Sequence, residues 1–245
     1  MNTPTLPPLP DQRKPWFKTI ALRYVQNRVK NDLDGLWVEG LEACIELSKE
    51  RPIIFAANHV AWWDAMLLLC LDEALQTDGF AIMDAKNLQK LPFFKWVGAL
   101  GIQKNQPRQA LQDLRRASQV LSAPRRCLWI FPQGSQRPAH LRPLQFKGGV
   151  VKLAQWTGCP VVPVSIQYVF RELECPAACF SFGTAIEPNA DQMLQKIERA
   201  VELGLERIDR FFEDDSAFTA LIPPRQEQSG QGLGARLLAL LAEAA

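Results

Sequence analysis

The chain has 245 residues, 47% of them hydrophobic, which is enough for one sizeable core with short appendages. A formal net charge of +2 excludes the global positive field that draws proteins onto nucleic acid, so any basic binding surface must be local. The six cysteines lie in apolar segments with no signal-peptide pattern ahead of them, as expected of reduced thiols in a cytoplasmic enzyme, and the two histidines with the single close pair Cys175 and Cys179 make no complete metal-ligand set.

Residues 1–12 are Pro-rich and expected to be flexible. Over residues 13–35 the spacing predicts a basic amphipathic helix: Trp16, Phe17, Ile20, Ala21, Tyr24, Val25 and Val29 fall on one stripe, and Arg13, Lys14, Lys18, Arg23, Arg28 and Lys30 supply the charge. The same pattern serves a helix packed on the core and one lying on a membrane surface. Trp37 to Leu41 reads as a short strand and turn, and Pro52 to Ala56 as a buried parallel-type strand ending at an Asn58–His59 loop. A helix is predicted from about Asp64 to Leu75. The apolar run Pro52 to Leu71 has about the length of a membrane span, yet it carries Asn58, His59 and Asp64 in its middle, where polar groups are costly. A buried strand leading into a buried helix accounts for it better.

Further on, Phe80 to Met83 is a strand candidate, Gln109 to Ser122 repeats apolar residues at helical spacing, and Cys127 to Phe131 is again strand. A helix through Val150 to Trp156 leads to a strand at Val161 to Ile166, with another at Phe180 to Gly183. Asn189 can cap a long helix with Leu194, Ile197, Val201, Leu205, Ile208 and Phe212 on one face. Residues 223–245 read as a linker, opened by Pro223–Pro224 and rich in Gln, Gly and Ser, and a last apolar helix. Alternating strands and helices predict an α/β fold with a largely parallel central sheet flanked by helices, preceded by the N-terminal amphipathic helical segment. In such sheets ligands gather at the carboxyl ends of strands, where both the His59 loop and the loop Phe131 to Gly134 fall.

Asn58-His59-Val60-Ala61-Trp62-Trp63-Asp64 is the segment richest in chemistry. Five positions along one helix would turn the histidine and the carboxylate apart, but a loop histidine and a carboxylate in the first helical turn can meet. Asp64 can then hold the imidazole in one tautomer and leave its other nitrogen free to take a proton. His140 sits between Pro138 and Pro143 and reads as ordinary surface.

This segment resembles the H-x4-D block of the glycerolipid acyltransferase family, whose best known members acylate lysophosphatidic acid. The resemblance continues in order from Leu36 to Gly183. Lys86 with Leu91-Pro92 and Gly98 to Gly101 is similar to the second block, and Phe131-Pro132-Gln133-Gly134-Ser135 to the Phe-Pro-Glu-Gly-Thr block. Phe146-Lys147-Gly148-Gly149 matches the stretch after that block, and Cys159 to Val164 the fourth block. It implies that residues 36–222 form a catalytic domain in which His59 removes the acceptor's hydroxyl proton, Asp64 orients it, and the alkoxide attacks the thioester of acyl-CoA or acyl carrier protein. No cofactor beyond that co-substrate is implied. Substrate-binding positions are Asn58, Lys104, Gln133, Gly134, Ser135, Arg137 and Lys147, with Leu91, Pro92, Phe93 and Phe94 as candidates for the acyl-chain pocket.

Two departures from the family pattern stand out. Gln133 replaces the usual glutamate with Arg137 one place beyond the usual arginine, and Lys104 or Arg108 stands for the arginine of the second block. The Trp62-Trp63 pair with Gln133 also resembles a branch that acylates sugar hydroxyls of carotenoid glycosides. The expected partners are an acyl thioester, a lipid acceptor, most simply a lysophospholipid, and the cytoplasmic face of a membrane, held peripherally. An acyl-thioester hydrolase and a non-catalytic lipid binder are the rival classes. The first lacks a nucleophile elbow, since Gly134-Ser135-Gln136-Arg137 has no second glycine, and the second leaves the retained His59 and Asp64 without a purpose.

Overall fold

The computed structural model describes residues 9–171 and 174–224. The elements run α1 (Pro15–Asp32), β1 (Leu36–Glu39), α2 (Leu41–Glu50), β2 (Ile53–Ala57), α3 (Trp63–Ala74), β3 (Asp78–Asp84), α4 (Ala85–Lys90) and β4 (Ala99–Ile102). They continue with α5 (Pro107–Ala117), β5 (Arg126–Ile130), α6 (Gly149–Thr157), β6 (Val161–Val169), β7 (Ala177–Phe182), α7 (Met193–Arg210) and β8 (Thr219–Ile222). The predicted linker and last helix, beyond Pro224, lie outside the described residues, as do the first eight.

All eight strands join one sheet in the order β4-β3-β5-β2-β6-β7-β1-β8. Pairing is parallel except between β6 and β7 and between β1 and β8. The central strand β2 explains the layering. Ile53, Phe55 and Ala57 point into a core shared with α1, α2 and α3, while Ile54 and Ala56 point into a second core under α5, α6 and α7. A strand buried on both faces reads as a continuous apolar run, which is what Ile53 to Ala57 is.

Three details differ from the sequence reading. The apolar stripe of α1 is split: Val25 and Val29 are buried beneath it, whereas Trp16, Ile20 and Tyr24 are 59%, 56% and 49% exposed. A stripe wider than the contact with α3 leaves its outer edge uncovered. Asn189 does not cap α7, because a turn at Pro188–Asn189 and a second one at Asp191–Gln192 intervene and the helix starts only at Met193. Phe212 is 62% exposed rather than on the inner face, since α7 ends at Arg210 and the chain turns Phe211 inward against Trp37 and Phe218.

Helix α7 lies close on β6 at Gly204. A β-carbon at that position would stand 2.1 Å from Ser165 Oγ and 2.8 Å from Ser165 Cβ. Ser165 is itself fixed, donating to the Val201 carbonyl at 2.6 Å. Gly204→Ala is therefore expected to destabilise the fold by about 1–3 kcal/mol through overpacking. Urea unfolding checks this, and Ser165→Ala in the same chain is expected to restore part of the loss.

Candidate active site

Strand β2 ends at the sheet's carboxyl edge, and Asn58 anchors the chain there. Its Nδ2 donates to the Ile166 carbonyl at 2.9 Å, and its Oδ1 accepts from the Ile166 amide at 2.7 Å. The side chain is buried and spent on strand β6, so this predicted substrate contact is occupied by backbone.

The next residue, His59, meets Asp64 at 2.7 Å through Nδ1. Asp64 is fully buried in the first turn of α3. Its Oδ2 also accepts the amides of Val60 at 2.7 Å and Ala61 at 3.0 Å, and its Oδ1 accepts the hydroxyl of Tyr168 at 2.7 Å. With only acceptor oxygens facing it, Nδ1 carries the imidazole hydrogen, and Nε2 presents a lone pair on the opposite side of the ring. The ring stacks on Phe131 with centroids 4.4 Å apart, which fixes its plane. Its side chain retains 20% exposure and forms part of a cavity wall.

Tyr168 escaped the sequence reading. It lies on β6 two positions past Asn58's partner Ile166 and 104 positions from Asp64, so no local spacing links the two. Burial and the adjacent Asp64 carboxylate push its phenol far above the ordinary range, so it serves as a donor.

The loop after β5 supports His59 from the other side. Gln133 Oε1 accepts the His59 amide at 2.6 Å, and its Nε2 donates to the Leu144 carbonyl at 3.1 Å. The Arg137 amide donates to the His59 carbonyl at 2.8 Å, while the guanidinium binds the carbonyls of Pro143 and Leu144 at 3.3 and 3.2 Å. Gln133 and Arg137 thus hold the loop, and neither lines the cavity. Gly134, with φ of +72°, Ser135, Lys104 and Lys147 do line it. Lys104 is paired with Asp84 at 2.9 Å and donates to the Gly134 carbonyl at 3.3 Å.

The cavity holds about 550 Å³, and His59 is part of its wall. Lys90, Lys104 and Lys147 line it together with a long apolar wall that includes Leu91 and Phe94. Pro92 and Phe93 are not among the lining residues: they face outward at the start of a 3-10 turn, Pro92–Val97, with Phe93 against Phe17 of α1. Among the described residues no cluster of three or more His, Cys, Asp or Glu side chains is arranged to hold a metal ion, and no helix is long and apolar enough to cross a membrane.

The acyltransferase family model matches residues 37–167. The 1-acyl-sn-glycerol-3-phosphate acyltransferase of Saccharomyces cerevisiae is 29% identical over 122 residues, 48% of this chain and 39% of the relative. The Pseudomonas aeruginosa enzyme of that name is 27% identical over 125 residues, 49% of this chain and 46% of the relative. The chain thus spans less than half the length of these curated relatives. The crystal structure of the 1-acyl-sn-glycerophosphate acyltransferase PlsC from Thermotoga maritima shares the fold, with a TM-score of 0.57 and 20% identity over 78% of this chain and 81% of that one. The matched segment carries the His59–Asp64 pair, the Gln133 loop and the strands that position them, and this chain belongs to the acyltransferase family.

Proposed function

We propose that the chain moves a fatty acyl group from acyl-CoA or acyl carrier protein to a hydroxyl of a 1-acylglycerol-3-phosphate-like lysophospholipid, with His59 as general base. The observation that carries this is the imidazole held by Asp64 at 2.7 Å in the wall of a mostly apolar cavity. His59 Nε2 takes the acceptor's hydroxyl proton as its oxygen attacks the thioester carbonyl carbon. The tetrahedral intermediate then expels the thiolate as the carbon–sulfur bond breaks, and the imidazolium returns the proton to the leaving sulfur. No acyl-enzyme and no cofactor enter this sequence.

Lys90, Lys104 and Lys147 in the cavity wall suit an anionic headgroup, and the names of the relatives support a phosphate-bearing acceptor. A second reading, a sugar hydroxyl, is favoured by two observations: Arg137 is turned onto backbone carbonyls, and Lys104 is neutralised by Asp84. We assign membrane contact to the exposed edge of α1, where Trp16, Ile20 and Tyr24 flank Arg23 and Lys30, as a peripheral anchor on the cytoplasmic face.

Labelled acyl-CoA and acyl carrier protein, each offered with lysophosphatidic acid or with a glycolipid, test the proposal. His59→Ala is expected to lower transfer by about 10²–10⁴-fold. Wild-type thiol release without a lipid product would make the protein a hydrolase, and undiminished transfer by His59→Ala would remove the mechanism. Tyr168→Phe deletes one of four donors to a buried carboxylate and is expected to cost about 1.5–3 kcal/mol of stability, read by urea unfolding, with KM little changed. Replacing Trp16, Ile20 and Tyr24 together by Asn is expected to weaken binding to anionic vesicles at least about tenfold. Unchanged sedimentation with vesicles would exclude this edge as the anchor.

A further inference from the structure

The cavity wall also carries a carboxylate that acyl transfer at His59 does not use. Ala65, Leu68, Leu69 and Asp72 all line the cavity. Their spacing is one helical stripe, so α3 forms a wall that runs about 10 Å from Ala65 to Asp72. Three apolar residues are followed by a carboxylate only 5% exposed. Across from them the wall includes Gly79 on β3 and Trp129 on β5, both buried.

Structural need accounts for half of that carboxylate. Three side-chain donors converge on Oδ1: Trp129 Nε1 at 2.9 Å, Thr77 Oγ1 at 3.3 Å and Cys127 Sγ at 3.4 Å. These tie α3 to the start of β3 and to β5. Oδ2 lies over Gly79, where a β-carbon would stand 2.0 Å away, so only glycine leaves it that space. Burial, opposed by the Trp129 hydrogen bond and the charge of Lys18, raises Asp72 to about 6.

A methyl-ended chain that filled the cavity to this point would strip water from Oδ2 and give nothing back. A chain with a hydroxyl at its end would donate to Oδ2 instead. Resting on the acyl-transfer reading, we infer that Asp72 forms a polar subsite of the acyl cavity, two helical turns along α3 from Ala65, selecting acyl chains that carry a hydroxyl at the end remote from the thioester. The selection follows from the asymmetry of buried hydrogen bonds: an analogue lacking the hydroxyl leaves a buried acceptor unpaired.

Calorimetric binding of acyl-CoA thioesters to the full chain tests this without requiring turnover. The probes are saturated chains from decanoyl to hexadecanoyl, each with and without a terminal hydroxyl. For the length that reaches Asp72, the hydroxylated chain is expected to bind at least about tenfold more tightly, and Asp72→Leu is expected to reverse the order. Equal affinities, or preference for the plain chain at every length in the wild type, would overturn the inference even if transfer proceeds normally. A binding preference that persists while no transfer occurs would support the subsite and sink the catalytic reading instead. If Asp72→Leu does not fold, a hydroxyl moved to mid-chain, opposite Leu68 and Leu69, supplies the control in the wild type. Tighter binding of that isomer than of the plain chain would also count against Asp72.

Discussion

A fully buried carboxylate must have all its acceptor capacity filled, and at Asp64 that requirement shapes everything around it. Four donors meet there: His59 Nδ1, the amides of Val60 and Ala61, and the Tyr168 hydroxyl. Two amides from consecutive residues can reach one oxygen only if the chain curls around it, so the loop between β2 and α3 has little freedom. Tyr168 brings in β6, and Asn58 pins the same strand two residues away at Ile166. The imidazole is therefore placed by the sheet, through rigid neighbours, and not by the loop alone. Losing Asp64 would leave two amides and a buried phenol without a partner, a larger change than losing one contact.

The cavity follows from how α3 is used. This helix is apolar nearly all round, with Leu67 and Leu71 fully buried in the core it shares with α1 and α2. Its Ala65, Leu68 and Leu69 also line the cavity, with Leu68 and Leu69 buried in that same core. Space left beside an apolar wall forfeits dispersion contacts, and a domain tolerates that where a ligand supplies them. Helix α1 makes this arrangement stable by covering α3 from outside with Val25 and Val29, while its outer edge stays bare.

The sequence makes the centre of the fold plain and its margins obscure, for physical reasons. Strands β2, β5 and β6 are buried on both faces, so their apolar runs stand out, and the His59–Asp64 spacing is unmistakable beside them. Strands β4 and β8 have four residues each at the sheet's edges, too short for a period to show, and β4 has Gly98 before it and Gly101 within it. Helix α2 is hidden because Leu41 and Cys44 are the only apolar residues it buries fully. Tyr168 and Asp72 are invisible for a different reason. Their significance lies in partners 104 and 57 positions away, and nothing local distinguishes Asp72 from a solvated charge at the end of a helix. The predicted acyl wall is half legible: Leu91 and Phe94 turn inward, but the 3-10 turn through Pro92 sends Phe93 to the surface.

Gln133 shows how a departure from the family pattern can keep a geometry. The position needs an acceptor for the His59 amide and, in this chain, a donor for the Leu144 carbonyl. An amide supplies both from one planar group, whereas a carboxylate has no hydrogen to give and would set its second oxygen against the carbonyl. Arg137 donates to that same carbonyl, so the two side chains share a task that holds the loop after β5 against His59. With glutamine the link between the loops carries no charge, and among the described residues Asp64 is the single carboxylate hydrogen-bonded to the imidazole. The guanidinium, for its part, is committed to backbone and is not offered to a headgroup. Under the proposed phosphate-bearing acceptor, anion recognition would fall to flexible ammonium groups around the cavity, Lys90 and Lys147 foremost, which act as point charges and impose less geometry than a bidentate arginine.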